Sequence, residues 1–149
     1  MSMAKGVRAI VAGCLASTLA GCALFAPPYD ATLDQKTTSA YEGVAKLSAE
    51  AEMGLYQDKS TYSGKIETYA EIQAALAVAA IRAGSAPTGG KGAEKARELT
   101  VRQIKSCAAR VSTVAAEHSA KGLAPAAGET GAMMSSCDLA ARAVRAMKN

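Results

Sequence analysis

Apolar or small side chains recur every three or four residues in four separate stretches of this chain. That spacing puts them on one face of a helix, so each stretch needs a neighbouring helix to cover it. The first stripe is Leu33, Ala40, Val44, Leu47, Ala51 and Leu55, and the second is Tyr62, Ile66, Tyr69, Leu76, Ala80 and Ala83, with Ile72 beside it. The third is Val101, Ile104, Cys107, Val111, Val114 and His118; the fourth is Met133, Cys137, Ala140, Val144 and Met147. Half of the residues are hydrophobic, yet the aromatics amount to five tyrosines and one phenylalanine. Much of the apolar content is alanine, which buries little area but has the best helix propensity and lets helices approach closely. The expectation is an all-α fold with a modest core. Four prolines, few aromatics and no repeated β-branched alternation argue against a β-sandwich or barrel.

Local signals set the expected boundaries. Thr32-Leu33-Asp34-Gln35 has capping-box spacing for the first helix, and Asp34 suits the positive end of its dipole. Ser60 or Thr61 can cap the second helix, Gly84 closes it, and Ser85 to Gly92 reads as a flexible loop. The third helix is expected from about Ala93 to Ala120, with Gly122 as its terminating glycine and Pro125 preventing continuation. Thr130 is the expected cap of the fourth. Glu98–Arg102 and Asp138–Arg142 have the i,i+4 spacing of surface ion pairs. Short connections between amphipathic helices predict an up-down-up-down four-helix bundle over residues 32–149.

The chain begins differently. Lys5 and Arg8 precede an apolar run of about a dozen residues, Ala9 to Ala20, shorter than the ~20 residues of a spanning helix. The run ends in Leu19-Ala20-Gly21-Cys22, which resembles the lipobox of bacterial lipoprotein signal peptides. Val11-Ala12-Gly13-Cys14 matches more loosely and would leave too short an apolar run. The resemblance implies that residues 1–21 are a cleaved signal peptide and that Cys22 is acylated and tethers the chain to a membrane. Ala23 after that cysteine, rather than aspartate, implies outer-membrane retention facing the periplasm, by similarity to enterobacterial sorting. Residues 22–31, with Pro27-Pro28, then form an extended tether.

Cys14 lies in the signal run and Cys22 takes lipid, so Cys107 and Cys137 remain as a pair. In an exported protein such a pair is most simply a disulfide. It bridges the stripes of the third and fourth helices. The two positions lie unequally far from the intervening loop, an offset of ~10 Å at 1.5 Å per residue, which predicts an asymmetric connection.

Candidate chemistry is sparse. His118 is the only histidine. With Met133 and Met134 it has the donor types of a copper site; the plainer reading is methionines filling core gaps and a histidine fraying at a helix end. Nothing resembles a G-x-S-x-G elbow, and Gly89-Gly90-Lys91-Gly92 lacks phosphate-loop spacing. No catalytic residue and no cofactor are expected. Charge is uneven: Lys36, Lys46, Lys59 and Lys65 face eight carboxylates between Cys22 and Ile81, whereas eleven Lys/Arg face five from Arg82 onward. The plain reading is an acidic half packed beside a basic one. The sharper reading is a basic face, rimmed by Arg97, Arg102 and Lys105, that meets an acidic partner or anionic lipid. Nothing supports nucleic-acid binding. Ala74 to Ile81 is apolar all round, which predicts burial on more than one face within the bundle; the alternative is a partner site. Together these features predict a non-catalytic envelope lipoprotein acting as a scaffold or docking module, with a periplasmic small-ligand or metal binder as the alternative.

Overall fold

The computed structural model describes residues 29–126 and 128–148. The lipobox at Cys22, the signal run and the Pro27-Pro28 tether lie outside the described residues. Among the described residues four α-helices make up the fold: α1 (Ala31–Glu52), α2 (Ile66–Ser85), α3 (Lys91–Lys121) and α4 (Gly128–Arg145). Short 3-10 helices span Lys59–Lys65 and Ala146–Lys148, and no strand occurs among the described residues. Each helix packs against the next in sequence, and α1 also packs against α4, which closes a ring of four.

The cap of α1 is Asp30 rather than Thr32. Its carboxylate accepts from Thr32 N at 2.8 Å and Leu33 N at 3.1 Å, satisfying two of the open amides at the helix start. The expected stripe then holds: Leu33, Ala40, Val44, Leu47 and Ala51 are buried. Leu55, predicted to continue it, lies beyond the helix and is exposed. Near the middle of α1, Gly43 sits where a Cβ would come within 2.8 Å of Ile72 Cγ1. Glycine is what lets α1 and α2 approach so closely there.

The second stripe splits. Asp58, not Ser60 or Thr61, is the cap, and it starts the 3-10 helix by accepting from Ser60 N at 2.8 Å. That 3-10 helix carries Tyr62, and α2 proper starts only at Ile66. Lys91–Lys121 extends the expected third helix at both ends and stops at Gly122, whose φ of 84° is one that side-chain-bearing residues rarely adopt. Thr130 is not a cap: α4 begins two residues earlier, and Thr130 is buried within its first turn.

The disulfide is formed. Cys107 and Cys137 are joined with Cα atoms 4.6 Å apart, and both residues are buried. The earlier start of α4 shortens the offset that the connecting loop has to absorb. Beside the bridge, Ser106 and Ser136 share a hydrogen bond of 2.9 Å. Asp138 and Arg142 pair at 2.7 Å as their spacing predicts.

Candidate functional site

Two places in the bundle collect chemistry: a basic groove between α2 and α3, and a buried histidine at the other end of α3. The groove is a shallow, open depression of about 480 Å³ lined by Gly84, Arg97, Glu98, Val101, Arg102 and Lys105. Helical spacing creates it. Residues 98, 101, 102 and 105 fall at three-four intervals along α3, and Gly84 near the end of α2 has no side chain to fill the space above Val101. The three cations predicted as a partner surface are therefore brought together. They are not equivalent, however. Arg97 is half-buried, donates to the Ala86 carbonyl at 3.3 Å and lies 3.9 Å from the Glu94 carboxylate. Arg102 and Lys105 are exposed. Glu94 offsets Arg97 and Glu98 offsets one further charge, so the positive excess in the groove is small and is carried by Arg102 and Lys105.

The expected burial of Ala74–Ile81 on more than one face is corrected. Ile72, Leu76, Ala79 and Ala83 form the buried face, while Ala74, Ala77, Val78 and Ile81 are exposed. Ile81 retains 71% of its surface. The reason is the ring arrangement: α2 has neighbours on two sides, α1 and α3, and its outer side meets none of the described helices.

His118 is not a fraying residue. It is fully buried at 0% exposure, one turn before α3 ends. Three tyrosine rings surround it, with centroids 4.9 Å (Tyr56), 5.5 Å (Tyr62) and 5.9 Å (Tyr69) from its own. Nε2 lies 2.8 Å from Thr61 Oγ1 and Nδ1 lies 3.1 Å from the Tyr69 hydroxyl. Burial, and secondarily the charge of Lys65, hold its pKa below the ordinary 6.5. Burial likewise pushes the Tyr69 phenol up.

A charged cluster closes the rim. Tyr56 donates to Glu50, Lys65 Nζ sits 3.1 Å from the same carboxylate oxygen, and that ammonium lies 5.5 Å from the centre of the Tyr56 ring. Burial raises the Glu50 pKa, but the hydrogen bonds from Tyr56 and Lys65 outweigh it and hold the carboxyl below 4.5. The Tyr56 phenol is pushed up by burial and by Glu50.

With both ring nitrogens hydrogen-bonded to hydroxyls, His118 offers no open lone pair to a metal in this arrangement. Met133 is fully buried in the core and Met134 is packed partly buried against it, the gap-filling role of methionine. Among the described residues, no group of three or more His, Cys, Asp or Glu side chains could hold a metal ion. The tyrosines and Thr61 around His118 were not legible as a cluster. The available signal was that three of only five tyrosines fall between positions 56 and 69.

No protein-family model matches the chain, and no curated protein or solved structure matches it.

Proposed function

We propose that this protein is a non-catalytic, lipid-anchored envelope protein that docks an acidic segment of another envelope protein in the α2–α3 groove. The observation that carries the reading is the groove itself: Val101 and the exposed cations Arg102 and Lys105 line it together with one carboxylate, Glu98, and Arg97 is held there by the Ala86 carbonyl. A partner carboxylate there exchanges little solvation, because these cations are not buried. Each such pair contributes about 0–1 kcal/mol, and the attraction weakens with salt. Specificity then comes from register along the groove more than from any one contact.

The lipobox resemblance supplies the anchor in this proposal: acylation at Cys22, retention at the outer membrane and a proline tether that spaces the bundle from the bilayer. The helices follow an up-down-up-down course. Contacts between Asp30 and Arg82, Gly43 and Ile72, and Glu50 and Lys65 support opposed directions for α1 and α2. Contacts from Tyr69 to His118, Gln73 to Ala108 and Arg97 to Ala86 support the same for α2 and α3.

The test is affinity capture from detergent-solubilised envelopes. The wild-type chain is expected to recover a specific protein that is lost when Arg97, Arg102 and Lys105 are together changed to Glu. Equal recovery by the reversed chain refutes the groove. Stoichiometric copper in purified protein, with no partner captured, refutes docking in favour of the metal reading. The anchor is tested separately: Cys22→Ala is expected to accumulate as precursor, and normal cleavage with retained membrane attachment would refute it.

A further inference from the structure

We propose that His118 is an acid-operated latch: while neutral it holds the segment Met53–Lys65 against the end of α3, and a second ring proton releases that segment from an otherwise folded bundle. The argument rests on the direction of three consecutive hydrogen bonds. Thr61 Oγ1 donates to the Asp58 carbonyl at 2.6 Å, which uses its one proton. Toward His118 Nε2, at 2.8 Å, the same oxygen can therefore only accept. The ring proton must sit on Nε2. A neutral imidazole has one N–H, so Nδ1 is bare and accepts from the Tyr69 hydroxyl at 3.1 Å. Tyr69, His118, Thr61 and the Asp58 carbonyl thus form one directed chain with each proton placed.

A proton added at Nδ1 breaks that chain. Two donors then face each other across 3.1 Å, and the Tyr69 hydroxyl must turn its hydrogen away at a residue only 4% exposed. The new charge would also be buried, which is costly without a paired anion. The surrounding groups do not supply one. From α1, Glu50 is held by Tyr56 and Lys65. In the 3-10 helix and the turn before it, Lys65 repels the charge, the Asp58 carboxylate is bound to Ser60 N, and the Tyr56 and Tyr62 rings face the imidazole with centroids 4.9 and 5.5 Å away. From α2 the facing group is Tyr69. On α3, Glu117 is paired with Lys121 at 2.8 Å, and Glu129 of α4 interacts with that lysine.

Release stays local because most of the segment lies on the surface and several of its holds converge on His118. No residue of Lys59–Lys65 is buried. Its attachments are the Thr61–His118 bond, the buried Tyr56 ring, the partly buried Tyr62 ring, the bonds of Tyr56 and Lys65 to Glu50, and the hydrogen bond from Leu123 N to the Tyr56 carbonyl; the first depends on the His118 ring itself. Tyr56 and Leu123 belong to the buried core, but the Cys107–Cys137 bridge lies about three helical turns from His118 along α3 and ties α3 to α4 without using the segment. The direction follows from linkage. A histidine with a lowered folded pKa contributes stability that is present above the ordinary 6.5 and is lost as pH falls through the lowered value. Glu50, held below 4.5, stays ionised over the first part of that descent.

A single histidine makes the test direct. The full chain with labelled histidine is titrated by NMR while amide exchange, corrected for its intrinsic pH dependence, is followed by mass spectrometry. At pH 7.5 the ring is expected to be the Nε2–H tautomer. As it protonates, protection over residues 54–65 should fall at least tenfold while peptides containing Cys107 and Cys137 stay protected. In His118→Gln, protection over 54–65 should be independent of pH above 5. Three results on the wild-type chain would overturn the proposal: an Nδ1–H tautomer, ring protonation with unchanged protection, or simultaneous loss of protection throughout the bundle.

Discussion

Replacing Gly122 with alanine tests how the end of α3 receives the Met53–Lys65 segment. Gly122 has φ 84° and ψ 178°, a region essentially confined to glycine, where another residue costs of order 1–3 kcal/mol. The added Cβ would also lie 2.2 Å from the Gln57 carbonyl oxygen and 2.8 Å from that of Tyr56. These are backbone atoms, so no side-chain rotation relieves the overlap. Moving them apart breaks the 2.6 Å bond from Leu123 N to the Tyr56 carbonyl, worth about 1 kcal/mol net. The expected loss is therefore about 2–4 kcal/mol, a fall in midpoint of roughly 8–16 °C for a domain of this size. Thermal unfolding followed by circular dichroism measures it. Gly131→Ala is the control: it lies in α4 with nothing within 4 Å of the new Cβ, and alanine should gain about 0.5–1 kcal/mol there. A Gly122→Ala loss under ~0.5 kcal/mol would refute the close backbone contact.

The remaining predictions concern the core and the disulfide. Changing Cys107 and Cys137 together to alanine opens a bridge spanning 30 residues and should lower stability by roughly 3–4 kcal/mol in denaturant melts; a loss below ~1 would mean the unfolded chain gains little freedom. Ser48 is 5% exposed and its hydroxyl makes no hydrogen bond, so Ser48→Ala should be neutral or stabilising by about 0.5–1.5 kcal/mol in the same assay. A clear loss there would reveal a partner for the hydroxyl. Met133→Ala should cost about 2–5 kcal/mol because the side chain is fully buried, whereas Ile81→Ser should stay within ~0.5 kcal/mol. Equal effects from those two would contradict the assignment of inside and outside on α4 and α2.

The sequence by itself determined the helices and the bridge. Three-four spacing is a local property, so α1, α3 and α4 keep the buried residues that their stripes predict apart from the partly buried Val101, and Cys107 and Cys137 lie on two stripes that must face a neighbour. Lys91–Lys121 ends at Gly122 because one backbone angle demands glycine, which is again a local matter. Only the tertiary structure decided which faces stay wet. Alanine carries too little hydrophobic area to fix its own burial, so Ala79 is covered while Ala74 and Ala77 are not, according to where α1 and α3 lie. The placement of His118 was also beyond local reading. Its partners come from 49 and 57 residues away, and Thr61 reaches it only because Asp58 starts a 3-10 turn that swings Tyr62 and Thr61 over the end of α3. The basic groove is intermediate: the spacing of Arg102 and Lys105 on α3 is visible in the chain, but the gap above Val101 exists only because Gly84 packs opposite it.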